Sequence, residues 1–304
     1  MTTEPRLLYV PCLDGRALHR MAYWEWGDAA NPRVLVCVHG LSRQGRDFDT
    51  LARAMAGEYR VICPDVVGRG RSDRLADPMG YAVPTYLADM VTLLARLGVA
   101  QVDWVGNSMG GLIGIVLASL RDGAGQGLVR RLVLNDVGPK YEQKFVDRLK
   151  SYLGQPVHWG SVEEAADALW AISQGFGPHT REQWLALTRP MLVPDASQGG
   201  EGFTLHYDPA IAVPIRAMTA EMGAAGEALL WHCYDHVQAP TLLLHGADSD
   251  VLAAETAQAM TQRGPRARLL EFAGIGHAPT RVQSAQGALV RDFRLADATA
   301  SPGP

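Results

Sequence analysis

Residues 106–110 read Gly-Asn-Ser-Met-Gly, a spacing that can present a serine hydroxyl as a nucleophile on a sharp turn. The preceding VDWV predicts a buried strand, and the following GGLIGIVLASL predicts an apolar helix. Such a turn needs small neighbours, which Gly106, Gly110 and Gly111 supply. The start of the helix also directs backbone N–H groups at the serine, where they can stabilise an anion. We therefore predict that Ser108 is a catalytic nucleophile. A phosphate-binding glycine loop is the alternative, but the second glycine of G-x-G-x-x-G is missing.

A serine hydroxyl at neutral pH needs a base, and in this chemistry the base is almost always a histidine. Among nine histidines, His277 lies in FAGIGHAP, a small glycine-rich loop directly after the last predicted strand. An acid at a neighbouring strand end must then orient the imidazole. Asp136 follows the strand RLVLN, and Asp248 and Asp250 both follow LLLHG. The residues alone leave these three aspartates open.

Short apolar runs, each followed by a turn signal, predict the elements that position these side chains. Runs rich in Val, Leu and Ile without alternation are typical of parallel strands buried on both faces. The runs are VLVCV, YRVIC, VDWV, RLVLN, TLLLH and ARLLEF. Helical segments between them complete a pattern that predicts a doubly wound parallel sheet of the α/β class. In the helix at 85–97, we expect one buried stripe formed by Leu87, Met90, Val91, Leu94 and Leu97.

The two ends and the middle of the chain depart from this pattern. Asp14-Gly15 between two apolar stretches predicts an antiparallel hairpin at the start of the sheet. Strand and helix stop alternating in residues 139–239, which carry four of the seven tryptophans and helical pieces such as SVEEAADALWAIS. We interpret 139–239 as an inserted, mainly helical cap on a core formed by residues 1–138 and 240–295. The small residues and prolines of 296–304 predict a disordered tail.

Composition narrows the classes of function. The chain has 304 residues, of which 47% are hydrophobic and 20% charged, and a formal net charge of -4. We therefore expect a globular protein with no nucleic-acid or membrane partner. Neither a leader pattern nor an apolar run of about 20 residues is found, which favours a cytoplasmic location. Four cysteines without CxxC spacing predict no metal or redox cofactor. A homodimer is left open.

Taken together, these motifs resemble the α/β-hydrolase family, in the serine esterase branch with a helical cap. The resemblance covers nearly the whole chain and depends on five motifs in family order. They are His39-Gly40, Asp65-Val-Val-Gly68-Arg69-Gly70-Arg71-Ser72-Asp73, Gly106-Asn-Ser108-Met-Gly-Gly111, Gly246-Ala-Asp248-Ser-Asp250 and Gly276-His277. The resemblance implies a mostly parallel sheet of eight strands, with the cap inserted into it.

The resemblance also assigns roles at the site. It implies His277 as the base, and backbone N–H groups of Leu41 and Met109 as the oxyanion hole. Asp250 is the favoured acid because it leads into VLAAE as the family acid leads into its next helix. Asp136 stays open because some members use that position. His39 and the polar loop from Asp65 to Asp73 are expected to be scaffold, the loop tied by Asp–Arg pairs.

These residues predict hydrolysis of a carboxylic ester of small to medium size through an acyl-enzyme, without a cofactor. The aromatic side chains of the cap are expected to shape the substrate pocket, foremost Trp159, Phe176, His206 and Trp231. Cleavage of a carbon–carbon bond in a ring-fission dienone is an alternative, although Leu41-Ser-Arg-Gln44 lacks the glycines usual after His-Gly in that branch. A lactonase and a small-molecule receptor on the same fold are further alternatives.

Overall fold

A computed structural model describes residues 4–140, 142–280 and 284–295. Its centre is an eight-stranded sheet of order β1-β2-β4-β3-β5-β6-β9-β10. The strands are β1 (Arg6–Leu13), β2 (Leu18–Trp26), β3 (Val34–Val38), β4 (Arg60–Pro64), β5 (Val102–Asn107), β6 (Val129–Asn135), β9 (Thr241–Gly246) and β10 (Arg268–Phe272). A separate two-stranded sheet pairs β7 (Leu192–Pro194) with β8 (Phe203–Leu205).

Helices flank the large sheet and fill the long connection between β6 and β9. They are α1 (Asp49–Met55), α2 (Val83–Leu97), α3 (Met109–Ser119), α4 (Gln143–Tyr152), α5 (Val162–Ala171), α6 (Arg181–Thr188), α7 (Ala212–Ala217), α8 (Ala220–His236), α9 (Ala254–Met260) and α10 (Ser284–Leu295). No helix among the described residues is long and apolar enough to cross a bilayer.

The prediction of a mostly parallel, doubly wound sheet is confirmed. All six predicted apolar runs form strands, and β3, β4, β5, β6, β9 and β10 pair in parallel. Strand β3 is fully buried along its length, as expected of a strand covered by helices on both faces. The hairpin at Asp14-Gly15 is also observed, because β1 pairs with β2 in antiparallel register.

Helix α2 covers the predicted span, and the predicted buried stripe is correct except at Val91. Met90, Leu93 and Leu97 are buried against the sheet, whereas Val91 is 41% exposed. Successive helical residues lie about 100° apart around the axis. A buried face centred on Met90 and Leu93 therefore turns Val91 towards solvent, which corrects the expectation.

The chain between β6 and β9 is mainly helical, with the small β7–β8 sheet as its only described strands. Helices α4 to α8 and several 3-10 turns account for most of it. We call this segment between β6 and β9 the cap, and its predicted boundaries at residues 139 and 239 stay a prediction. The predicted tail at 296–304 lies outside the described residues.

The Trp104 side chain joins β5 to α3 at the centre of the molecule. Its indole is fully buried and donates a 3.0 Å hydrogen bond to the carbonyl of Gly110. A Cβ at Gly114 would overlap the indole nitrogen, so the ring lies directly on the helix. The strand that carries the predicted nucleophile is thereby fixed against the helix that follows it.

Replacing this indole tests how far the core depends on it. We expect Trp104→Ala to lower the free energy of unfolding by about 3–5 kcal/mol, because it leaves a large cavity between β5 and α3. Val91→Ala, on an exposed helix position, is the control and is expected to change stability by less than about 0.5 kcal/mol. Urea denaturation measures both, and equal effects would contradict this packing.

Candidate active site

Ser108 lies on a strained turn between β5 and α3. Its backbone is at φ 49° and ψ -116°, outside the regions that residues with a side chain ordinarily adopt. A Cβ at Gly106 would overlap the Gly110 carbonyl, and a Cβ at Gly110 would overlap the carbonyl of Val38. These glycines are therefore required by contact between strands and helix, as the sequence predicts.

The end of β3 passes beside this turn. A Cβ built on Gly40 would lie 3.6 Å from the Ser108 Cβ, so the backbone leading into Leu41 lies close to the nucleophile. Met109 is the first residue of α3, where a helix leaves its N–H without an intrahelical acceptor. Both positions suit backbone donors that face Ser108, and the oxyanion hole of Leu41 and Met109 stays a prediction.

The acid that contacts His277 is Asp136, which corrects the expectation of Asp250. His277 Nδ1 lies 2.7 Å from Asp136 Oδ2. The same carboxylate accepts hydrogen bonds from the Ser249 hydroxyl at 2.6 Å and from the Gly246 N–H at 2.9 Å. Asp136 is fully buried, so these donors take the place of water around its charge.

Asp250 and Asp248 make other contacts. Asp136 directly follows β6, which lies between β5 and β9 and so ends next to the turn of Ser108. Asp250 lies four residues beyond the end of β9 and forms a half-exposed ion pair with Arg148 at 2.9 Å. Asp248 is exposed, and its backbone N–H donates to the carbonyl of Ile275.

The loop that carries His277 is held from both the sheet and the cap. A Cβ at Gly246 would overlap the carbonyls of Ile275 and Gly276, so this loop lies flat on the end of β9. From the cap side, the Gly175 carbonyl accepts a 2.7 Å hydrogen bond from the Gly276 N–H. The Phe145 ring stands edge-on to the imidazole at 5.7 Å. The cap therefore helps to place the predicted base.

Asn135 links the nucleophile turn to the base loop, a role that sequence reasoning missed. Its side-chain amide donates to the Asn107 side-chain oxygen at 2.7 Å and to the Pro279 carbonyl at 2.8 Å. Asn107 precedes Ser108, and Pro279 lies two residues after His277. The only signal available in the sequence was its place beside Asp136 at the end of a predicted strand.

A small cleft opens beside these residues, between the sheet and the cap. Of the four predicted pocket residues, Phe176 alone lines it. The other lining residues are Arg43, Asp47, Asn107, Leu187, Ala278, Pro279 and Thr280. Arg43 forms a bidentate pair with Asp47 at 2.6 and 2.7 Å.

The remaining predicted pocket residues have other contacts. Trp231 on α8 lies 4.0 Å below the Arg263 guanidinium, and Trp159 exchanges backbone hydrogen bonds with Phe203. His206 is buried between the cap and the loop after β4. We therefore correct the expectation that these three side chains line the cleft beside Ser108.

His206 fixes the cap to the core. Its Nδ1 accepts a 2.7 Å hydrogen bond from the Gly70 N–H, which requires a neutral ring. Burial lowers the pKa of His206 to about 3, and the nearby Arg43 and Arg69 guanidinium groups act in the same direction. Two residues on, Asp208 accepts the Tyr81 hydroxyl at 2.6 Å.

The polar loop after β4 is held by contacts with the rest of the core, and not by the expected Asp–Arg pairs within the loop. Asp65 accepts the backbone N–H groups of Gly45 and Arg71, and burial raises its pKa to about 6. Asp73 pairs with Arg20 on β2. His39 is buried and neutral, because burial holds its pKa well below the usual value while its Nε2 accepts the Val66 N–H.

One other cluster has the side chains of a metal site. Cys12 and His19 are cross-strand partners on β1 and β2, and with the buried Asp89 their ligand atoms lie within 4.8 Å of one another. His19 Nε2 lies 3.0 Å from the Asp89 carboxylate, which raises the pKa of His19. These mutual contacts make a buried ion pair, and the cluster lies at the far edge of the sheet from Ser108.

A strained serine turn and a buried Asp–His pair at the carboxyl edge of a mostly parallel sheet define the class of the α/β hydrolases. Comparison with known proteins agrees, because a family model of the alpha/beta hydrolase fold matches residues 33–279. The chain belongs to this family and is a hydrolase.

Individual relatives cover almost all of the chain. It is 53% identical over 293 residues to the 3-hydroxybutyrate-oligomer hydrolase of Cupriavidus necator, covering 96% of this chain and 99% of the relative. A crystal structure of an alpha/beta hydrolase from Novosphingobium aromaticivorans is 33% identical with a TM-score of 0.82, covering 96% and 99%. The 2-hydroxy-6-oxo-2,4-heptadienoate hydrolase of Pseudomonas putida is 28% identical, covering 88% and 91%.

The position of the acid can be tested by isosteric replacement. We expect Asp136→Asn to lower kcat by about 10³-fold or more, because a neutral amide does not stabilise the imidazolium and its NH2 group favours the wrong tautomer of His277. Asp250→Asn breaks only a half-exposed ion pair and is the matched control, with kcat within threefold of wild type. Steady-state hydrolysis of p-nitrophenyl butyrate measures both. The reverse ranking would restore Asp250 as the acid.

The neutral state of His206 predicts a pH-dependent loss of stability. The unfolded histidine takes up a proton near pH 6.5, whereas the folded one resists until about pH 3. The unfolded state therefore binds more protons in this window, and stability falls as pH drops through it. His206→Asn keeps an acceptor for the Gly70 N–H but does not titrate.

We expect wild type to lose roughly 1 kcal/mol per pH unit relative to His206→Asn between pH 6 and pH 4. Above pH 7 the difference between the two proteins should not change with pH. Urea denaturation at several pH values measures the free energies of unfolding. Parallel pH profiles for the two proteins would show that His206 titrates normally.

Proposed function

We propose that this chain hydrolyses the ester bonds of short 3-hydroxyacyl oligomers, with 3-hydroxybutyrate oligomers as the prototype, through an acyl-enzyme on Ser108. The observation that carries the proposal is the buried Asp136–His277 hydrogen bond of 2.7 Å at the sheet edge where Ser108 stands on its strained turn. The 53% identity to a 3-hydroxybutyrate-oligomer hydrolase, over nearly the full length of both chains, supports the substrate class.

In the first half of the reaction, the imidazole of His277 takes the proton of the Ser108 hydroxyl, and Oγ bonds to the ester carbonyl carbon. The carbonyl oxygen becomes an oxyanion that the N–H groups of Leu41 and Met109 stabilise. When the intermediate collapses, the carbon–oxygen bond breaks. The leaving hydroxyl of the next oligomer unit takes the proton from His277.

The second half repeats these steps with water. His277 takes a proton from water, the hydroxide attacks the acyl-enzyme, and the free acid leaves as Ser108 regains its proton. The hydroxyl of Ser249 and the N–H of Gly246 hydrogen-bond the carboxylate of Asp136 and keep it directed at His277. Asp136 holds the imidazole and stabilises its charged form.

We expect Ser108→Ala to lower oligomer hydrolysis by about 10³-fold or more, because no other group on this turn can form the acyl-enzyme. Ser119→Ala, at the far end of the same helix, is the matched control and should keep near-native activity. Release of monomer from the 3-hydroxybutyrate dimer and trimer is followed by chromatography. A fluorophosphonate should label wild type and Ser119→Ala but not Ser108→Ala.

Parallel substrates separate this proposal from its rivals. The panel contains the dimer and trimer, p-nitrophenyl esters, a lactone and a ring-fission dienone of the kind named for the 28% identical relative. The proposal expects the highest kcat/KM for the oligomers. A dienone preference would indicate carbon–carbon bond hydrolysis, and absence of both turnover and labelling would indicate a receptor.

A further inference from the structure

Arg69 is a fully buried arginine between the two residues that the proposed oxyanion hole uses. Its Nε donates a 2.9 Å hydrogen bond to the Leu41 carbonyl, and its Nη2 lies 3.7 Å from the Met109 sulfur. One guanidinium therefore contacts both residues whose N–H groups are assigned to the oxyanion.

The loop is shaped to bring this side chain inward. Gly68 and Gly70 on either side of Arg69 have φ values of 81° and 55°, a region that favours glycine. A Cβ at Gly70 would overlap the Asp65 carboxylate, and a Cβ at Gly68 would overlap the Tyr81 ring. The backbone thus changes direction on both sides of Arg69, and the arginine side chain lies inside the protein next to Leu41 and Met109.

Arg69 carries a positive charge among neutral partners, and its guanidinium lies over the rings of Tyr81 and Tyr86 at 5.6 and 5.0 Å from their centroids. Its remaining donor bonds go from Nη1 to the Val67 carbonyl at 2.7 Å and to the Tyr86 hydroxyl at 3.0 Å. Among residues 4–140, 142–280 and 284–295, no acid forms an ion pair with it. Burying a cation among neutral acceptors is unfavourable. A negative charge that forms nearby during the reaction would therefore be stabilised.

From this arrangement we infer that Arg69 is a positioning residue of the oxyanion hole, holding the Leu41 backbone in place and adding positive charge behind both donors. The inference rests on the proposed function, because it requires an oxyanion to form at Ser108. The hydrogen bond to the Leu41 carbonyl fixes the peptide that follows Leu41, and so limits how far the adjoining peptide, which carries the Leu41 N–H, can turn. The interaction gains strength only when the oxyanion forms, so it acts on kcat rather than on substrate binding.

The pKa values of two histidines close to Arg69 reflect its positive charge. The Arg69 guanidinium contributes, after burial, to holding the pKa of His39 well below its usual value and that of His206 low. Both histidines therefore stay neutral, and they neither balance nor add to the charge of Arg69.

The experiment compares Arg69→Met and Arg69→Lys with Arg131→Met. Arg131 is the matched control because it too is buried and hydrogen-bonds a carbonyl, that of Phe293, away from Ser108. Steady-state hydrolysis of p-nitrophenyl butyrate gives kcat and KM. Binding of an aryl trifluoromethyl ketone, which forms an anionic tetrahedral adduct with a serine nucleophile, reports on the oxyanion hole. Thermal unfolding shows that each variant is folded.

We expect Arg69→Met to lower kcat about 10- to 100-fold with KM within threefold, and to weaken ketone binding by a similar factor. Arg69→Lys keeps the charge, but a single ammonium nitrogen cannot span the Leu41 and Val67 carbonyls and the Tyr86 hydroxyl as the wider guanidinium does. We therefore expect at least a threefold loss in kcat. This variant also serves as the test if Arg69→Met fails to fold. Arg131→Met should keep near-native kcat and ketone binding.

Two results would overturn the inference while leaving the proposed function intact. In the first, wild type is active, the Arg69 variants are folded, and their kcat stays within twofold of the value for Arg131→Met. In the second, KM rises while kcat does not change, which would place Arg69 in substrate binding or general structure. A wild-type protein that neither turns over esters nor reacts with a fluorophosphonate would instead contradict the proposed function itself.

Discussion

The close approach of the Gly110 backbone to the Val38 carbonyl is the contact on which the rest of the site depends. With no side chain between them, α3 begins directly against β3, and the turn before it must take φ 49° at Ser108. Such a conformation is unfavourable for a serine and persists only when its surroundings determine it. Here the sheet, the helix and Trp104 all do so. The strain therefore comes from the packing of the core.

The ends of neighbouring parallel strands then bring the other groups to this turn. Strand β6 lies next to β5 and delivers Asp136 and Asn135 side by side, one facing His277 and the other joining Asn107 to Pro279. The His277 loop lies on the end of β9 and is also held from the other side. Its hydrogen bond to Gly175 makes the cap a support for the base as well as a cover. A change in the cap can thus alter catalytic geometry as well as substrate choice.

Sequence reasoning succeeded where a local pattern determines the structure. Buried parallel strands read as unbroken apolar runs, and the glycines around Ser108 mark a close approach that no other residue allows. It failed where the answer depends on which distant elements meet. Asp136 and Asp250 both follow strands, and only their tertiary contacts distinguish them, since Asp136 meets His277 whereas Asp250 pairs with Arg148. Likewise, Arg69 lies between aspartates in the sequence, yet its folded partners are carbonyl oxygens, a hydroxyl and a thioether.

The groups that carry the proposed chemistry and the groups that shape the cleft come from different parts of the fold. The Ser108 turn, the Asp136–His277 pair and the buried Arg69 belong to the sheet and its loops, and the proposed mechanism uses them whatever the acyl group is. The cleft beside them is completed from the cap by Phe176 and Leu187, over the Arg43–Asp47 pair. Because the charges of Arg43 and Asp47 balance each other, the pair offers polar contacts at the cleft without a net charge. Under the proposed function, a lining without net charge is compatible with a neutral ester substrate.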